Sequence, residues 1–270
     1  MNTDKYMNID QVILYFCLGL PPLLYVLENI GFLFRIAGLK CGNLVAGYTF
    51  QNSGSYGSRF INLLFAPLFA YLADTKKIQI NYLNISSYYF LLAALLSICI
   101  INKKRLIHLL SEIICYQQKG NSFIKSMLRK QNFIEIIKIF CFFDFFKIVN
   151  SFKVESFNFD LQIKKKVNKT SLWFMVTYIF YYGTWISIAL LITAFPSMPA
   201  ILISFSTYFT LCNSLYLSLV FDPIISRYSK DENITTYAYI NLQRYKLLAC
   251  ILSYLMISII YFLLMIYKLI

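Results

Sequence analysis

Six apolar runs, each near the length a helix needs to cross a bilayer, decide what this chain can fold into. A spanning helix needs about 20 apolar residues to cover roughly 30 Å of hydrocarbon. Runs of that kind lie at about 11–34, 44–72, 85–101, 171–194, 199–221 and 246–267 of the 270 residues. Inside lipid every backbone N–H and C=O must be bonded within its own segment, so the runs predict an all-α polytopic membrane protein with about six transmembrane helices. At 59% hydrophobic and 14% charged, the chain lacks the polar surface to enclose that apolar mass as a soluble globule. A single membrane domain, 1–270, is expected. The first run has neither a basic start nor a small-residue cleavage site, so it is expected to be retained rather than removed as a signal peptide. The third, SSYYFLLAALLSICII, is the shortest and needs flanking residues to complete a crossing.

The long polar segment 102–170 separates the third and fourth runs and carries 14 of the 25 Lys and Arg. Its clusters NKKR at 102–105 and IKKKVNK at 163–169 press against the adjoining spans, where positive charge marks the cytoplasmic side. That orientation puts both termini and the FPSMP turn outside, and the 35–43 and 222–245 loops inside. Lys76 and Lys77 fall on the outer side against this trend. The basic excess is thereby accounted for by orientation and by membrane lipids, and no nucleic-acid partner is expected. Within the segment, FIEIIKIFCFFDFFKIV at 133–149 is apolar enough to touch a membrane, and an in-plane interfacial helix and a re-entrant span both stay open. The cysteines at 17, 41, 99, 115, 141, 212 and 250 show no paired spacing and read as small core residues. His108 is the only histidine, so no site needing two exists, and neither a metal nor a cofactor is expected.

Polar side chains inside the apolar runs are the candidate functional groups. Gln51, Ser55, Ser58, Arg59 and Asn62 share one face of the second helix. Arg59 stands about 24 Å from the cytoplasmic end of its run, too deep to snorkel to water. A charge at that depth costs roughly 2.5 to 3.5 kcal/mol unless it meets a partner or a wet cavity. The stripe must therefore face protein or water. One reading makes it interhelical glue, with Gly47, Ser53, Gly54, Ser55, Gly57 and Ser58 allowing close helix approach. The other makes it a polar pathway through the membrane, and the two are compatible. Glu28 is the acidic residue well inside another run, so it is the expected counter-charge of Arg59. Glu28 and Arg35, seven apart, share one face of the first helix about 10 Å apart along the axis. Ser206, Thr210 and Asn213 likewise share a face of the fifth. Asp222-Pro223 reads as a helix stop and Asp74 as an end cap.

The same residues carry a resemblance. The run LENIGFLFRIAGLKCGNLVAGYTFQNSGSYGSRFINLLFAPLFAYLAD, 27–74, resembles the N-terminal signature of the Amj family of bacterial membrane proteins, the alternative lipid II flippases. The family's acidic residue and Arg-(Leu/Ile)-Ala-Gly stretch are matched by Glu28 and by Arg35-Ile36-Ala37-Gly38. The series in its second span is matched by Asn52, Ser58-Arg59, Asn62, Pro67 and Asp74. A second block, 168–222, is similar to the family's C-terminal half through Asn168, Pro196 or Pro199, Asn213 and Val220-Phe221-Asp222-Pro223, where Phe221 interrupts the family's Val-Asp-Pro. The segment 78–167 matches no pattern of the family.

The resemblance implies a multi-pass protein of the bacterial cytoplasmic (inner) membrane that is not an enzyme. It implies transport of lipid II, the undecaprenyl diphosphate-linked muropeptide, from the inner to the outer leaflet for peptidoglycan biosynthesis and the cell wall. The implied substrate pathway is Glu28, Arg35, Lys40, Asn52, Ser55, Arg59, Asn62, Asp74, Asn213 and Asp222. A diphosphate must be shielded from hydrocarbon while its tail stays in lipid, so a polar, partly cationic groove suits it. Arg35 and Lys40 at the cytoplasmic mouth and Arg59 at mid-depth then hand the head group inward, arginine being matched to phosphate by its fork. Two other classes stay open. A noncatalytic membrane scaffold or assembly protein would use the basic segment to bind anionic lipid or a partner. An integral membrane enzyme acting on prenyl diphosphates would need paired carboxylates for magnesium, and the chain has no DDxxD run.

Overall fold

The computed structural model describes residues 9–75, 80–120, 122, 125–126, 128–141, 160–228 and 231–267. These form α1 (Ile9–Lys40), α2 (Leu44–Asp74), α3 (Tyr82–Ile101), α4 (Lys103–Gln118), α5 (Lys130–Cys141), α6 (Leu161–Ala194), α7 (Pro199–Tyr216), α8 (Asp222–Ser226) and α9 (Glu232–Ile266). A π-helical turn, Leu217–Phe221, joins α7 to α8 without a break, and no strand occurs among the described residues. Five stretches are long and apolar enough to cross a membrane: Gln11–Lys40, Tyr82–Ile101, Leu161–Ala194, Pro199–Ser226 and Asn233–Ile266. The protein is all-α and multi-pass. The sixth expected span corresponds to α2, whose 31 residues extend about 46 Å. The side chains of 54–64, which carry most of its polar stripe, lie outside the described residues.

The helices outrun the apolar runs at their basic ends, and capping explains why. Asp160 accepts from the Gln162 N–H and so starts α6 ten residues before its apolar run. Asp231 accepts from the N–H groups of Asn233 and Ile234 and starts α9 at Glu232. Lys and Gln propagate a helix well, so the polar lead-in segments stay helical. The loop expected at 222–245 is corrected accordingly: α8 and α9 leave only 227–231 between them.

Much of the segment 102–170 is also packed structure rather than free loop. The Asn102 amide donates to the carbonyls of Ile98 and Ile139, tying the α3–α4 corner to α5. Amphipathic α4 then buries Leu106, Ile107, Leu109, Leu110, Ile113 and Ile114, chiefly against α1. Of the apolar stretch 133–149, the first nine residues belong to α5, and 142–149 lie outside the described residues.

Helix α1 is the hub, packing on α2, α3, α4, α6 and α9. Its tightest partner is α2. A Cβ on Gly47 would stand 2.7 Å from the Phe34 carbonyl and 3.3 Å from the Arg35 Cα, and one on Gly38 would stand 2.9 Å from the Gly47 Cα. Only hydrogen fits between these backbones, which is the close approach that small residues permit in membranes. Gly42, at φ 66°, makes the turn that lets α2 fold straight back, supported by Asn43, whose side chain accepts from the Ala46 N–H. At the rim, α7 buries only Asn213 among its described residues and leaves Ile201, Phe205, Tyr208, Leu211 and Leu215 exposed, as a helix facing lipid does.

Candidate functional site

Because α1 and α2 touch at Gly38 and Gly47, the side chain of Arg35 is directed into the bundle, where the residue is 3% exposed. Its Nη1 donates to Asp222 Oδ1 at 2.7 Å and to the Tyr239 hydroxyl at 2.6 Å. The guanidinium also lies 4.1 Å from the centre of the Tyr48 ring. Four helical elements, α1, α2, α8 and α9, thus meet on one cation. Asp222 is aimed there by the π turn, in which its N–H bonds the carbonyl of Leu217, five residues back. The extra residue in that turn buries Phe221, which stacks on Phe174 at 5.3 Å and meets Tyr239 at 6.1 Å. Pro223 follows the π turn inside this continuous helix, where its missing N–H leaves the ladder one bond short. The expected Asp-Pro helix stop is therefore corrected: the helix passes through it and ends at Ser226.

A second tier lies farther from the basic end, around Glu28 and Asn29. Glu28 is half-buried and accepts a hydrogen bond from the Tyr181 hydroxyl at 2.8 Å. Tyr25 donates to the Tyr181 carbonyl and Tyr88 to the Tyr182 carbonyl, both at 2.9 Å, so the hydroxyls of this tyrosine cluster brace α6 against α1 and α3. Beside them is Lys246 of α9, with no exposed surface at all. Its Nζ donates to Asn29 Oδ1 at 3.2 Å and lies 4.2 Å and 4.6 Å from the ring centres of Phe32 and Tyr178. None of the ion pairs among the described residues involves Lys246. Burying an ammonium costs several kcal/mol. Two desolvated cation–π contacts at about 2 kcal/mol each and one charged hydrogen bond at about 2 kcal/mol are of the same order.

Sequence reasoning missed Lys246 because it begins the last apolar run and so reads as a membrane-edge lysine. The signal that finds it is the cap at Asp231, which makes 232–245 helical and raises Lys246 about 21 Å above the start of α9. The same lengthening moves Glu28, now about 18 Å from the end of α1 at Lys40.

The other expected residues are spread around these tiers. Asn213 is buried and accepts from the Thr177 hydroxyl at 3.0 Å, joining α7 to α6. Thr210 bonds the Ser206 carbonyl of its own helix. Asn168 accepts from Tyr237 at 2.6 Å and from Asn241 at 2.9 Å, joining α6 to α9. Lys40 and Asp74 are exposed at helix ends, and Asn52 is exposed on α2. Gln51 is buried where α2 crosses Gly31. The side chains of Ser55, Arg59 and Asn62 lie outside the described residues, and with them the expected Glu28–Arg59 pairing. No group of three or more metal-ligating side chains occurs among the described residues.

Fold and site together define a multi-pass helical membrane protein with charged tiers enclosed in its bundle. In comparisons with known proteins, no family model, no curated protein and no solved structure matches the chain.

Proposed function

We propose that the protein is a flippase for lipid II, moving the undecaprenyl diphosphate-linked muropeptide to the outer leaflet of the bacterial cytoplasmic membrane. The observation that carries this reading is the pair of basic side chains, Arg35 and Lys246, enclosed at two depths within spanning helices. Charged side chains are rare at such depth and mark transport pathways. Arg35 already holds an anionic partner in Asp222. A diphosphate taking the place of that carboxylate exchanges one anion for another, so no step leaves the guanidinium bare in a low-dielectric interior. Lys40, exposed at the end of α1, lies about 8 Å further toward the basic side and serves as the first attraction. The charge tiers support an anionic cargo, and the resemblance at Glu28, Arg35 and the 52–74 series narrows it to lipid II.

The test is complementation in a bacterium depleted of its essential lipid II flippase. Growth restored by the full chain supports the reading; no growth despite demonstrated membrane insertion sinks it. A scaffold reading is favoured by one observation, the groove of about 780 Å³ between α4 and α5 lined by Lys104, Arg105, His108, Glu112, Glu135 and Lys138. It predicts that charge substitutions in that groove abolish binding of anionic lipid or of a cytoplasmic partner, whereas the transport reading predicts that they leave complementation in place.

A further inference from the structure

Cys41 and Cys115 are 74 residues apart in sequence, and the fold brings their sulfurs together at 2.8 Å, the Cys115 thiol donating to Cys41 Sγ. Cys41 lies in the turn between α1 and α2, and Cys115 in the last turn of α4. Both are free thiols, Cys115 exposed and Cys41 half-buried. Cys41 in turn donates to the Ser111 carbonyl at 3.1 Å, which fixes its side chain toward α4. Of the remaining described cysteines, Cys17, Cys99 and Cys250 are buried and Cys212 sits on the exposed face of α7. None of those has a sulfur partner among the described residues.

We propose that Cys41 and Cys115 form a redox modification site, closed to a disulfide by a peroxide oxidant, that clamps α4 onto the α1–α2 turn. The reaction begins at Cys115, which solvent reaches. Its thiolate attacks one peroxide oxygen and breaks the O–O bond, giving the Cys115 sulfenic acid, while the departing hydroxide takes a proton to become water. The Cys41 sulfur then attacks the sulfenic sulfur, gives up its proton, and a second water leaves as the S–S bond forms. Two thiols lose two electrons and one peroxide gains them.

The order follows from the surroundings of each thiol. Burial, reinforced by the contact with Cys115, pushes the Cys41 thiol up to about 11. A raised value means that Cys41 is almost wholly protonated at neutral pH, so it is the poorer first nucleophile and the slower resolving step. Closure therefore accelerates as pH rises from 7 toward 9. The mechanical consequence is local. The turn at Gly42 positions the Gly38–Gly47 crossing, so a covalent bond from Cys41 to α4 restrains α1 against α2 a short distance from Arg35. The inference is independent of the transport reading.

The test uses membranes containing the full chain, exposed to hydrogen peroxide, alkylated and digested with trypsin. Cleavage after Lys40, Arg59, Arg105 and Lys119 releases 41–59 and 106–119, each with one cysteine. The expected product is these two peptides joined, separable by dithiothreitol, and formed several-fold faster at pH 9 than at pH 7. It is absent from Cys41→Ser and Cys115→Ser chains. The thermal midpoint of the oxidised wild-type protein rises by about 5 °C, and that of either variant does not. Cys115 carried on to sulfinic acid while Cys41 stays alkylated overturns the proposal, as does a linked pair with no rise in midpoint.

Discussion

Arg35 and Asp222 are separated by 187 residues of chain and by 2.7 Å in space, and the pair fastens the first spanning helix to the start of the helix that leaves the π turn. The arginine side chain is 4% exposed and the aspartate 26%, so water relieves part of the penalty of breaking the pair. Removing one partner of a fully buried ion pair costs about 3–5 kcal/mol. Arg35→Gln is therefore expected to cost about 2 kcal/mol, read as a lower unfolding midpoint in detergent, and to abolish complementation. Adding Asp222→Asn restores much of the stability, because the orphaned charge is gone, but not the activity. A double variant no more stable than Arg35→Gln alone shows that the two groups are uncoupled.

The contact of Gly47 with the Phe34 carbonyl leads to a second expectation. Gly47→Ala forces backbone apart, since the obstructing atoms, 2.7 Å from the new Cβ, belong to a helix and cannot rotate away. Overpacking of this kind costs about 1–3 kcal/mol. Gly19→Ala on the same α1 is the control, because nothing lies within 4 Å of its Cβ position. It should be neutral or slightly stabilising through helix propensity. Equal effects of the two substitutions on the unfolding midpoint argue against the close crossing.

Topology gives a third. In a chain whose Cys115 is changed to Ser, an impermeant thiol reagent applied from outside should label Ser197→Cys, in the exposed 195–198 turn, and miss Lys119→Cys after α4. Labelling of position 119 in sealed cells inverts the orientation and moves Arg35 to the outer end of the bundle.

How much of this was legible in the sequence depends on which physics fixed each element. Length and hydropathy alone located the five stretches long and apolar enough to cross a membrane, because a bilayer imposes both. The α1–α2 crossing was half legible: Gly47 was readable as a small contact residue, but its partner Gly38 was visible only in the fold. Helix starts were misplaced at 171 and 246 because hydropathy reports where lipid ends, whereas the caps at Asp160 and Asp231 decide where the helix begins. The π turn was hidden, since Asp-Pro is a helix stop in most contexts, and the stacking of Phe221 on Phe174 that accompanies the continued helix leaves no local sequence signal. Lys246 was hidden by the same error in helix start. The thiol pair was hidden because 74 intervening residues erase any spacing signal.

Lys246 separates a pathway from a structural polar core. Replacing a buried charge by an apolar side chain of similar shape is often neutral or stabilising. Lys246→Met is thus expected to leave abundance and unfolding midpoint unchanged or raised, with Met filling the space between Phe32 and Tyr178. If the ammonium belongs to the pathway of an anionic lipid, the same chain fails to complement. Full complementation by Lys246→Met removes Lys246 from the proposed site while leaving the fold as described.

The last prediction concerns Arg59. By helix register it stands about 22 Å from the start of α2 at Leu44, and Glu28 stands about 18 Å from the end of α1 at Lys40, so their backbones lie at similar depth. The longer α1 brings these levels closer than the apolar runs alone suggested. If Arg59 is only interhelical glue, Arg59→Gln lowers stability modestly, since such polar contacts average about 0.6 kcal/mol, and activity per molecule persists. If it guides a diphosphate, Arg59→Gln leaves insertion and abundance nearly intact and abolishes complementation. Arg59→Lys then rescues only in part, because a point charge cannot bond two phosphate oxygens as the guanidinium fork does. We expect the second pattern. A well-expressed Arg59→Gln chain with full activity takes Arg59 out of the pathway and leaves Arg35 and Lys246 as the groups on which an anionic cargo must depend.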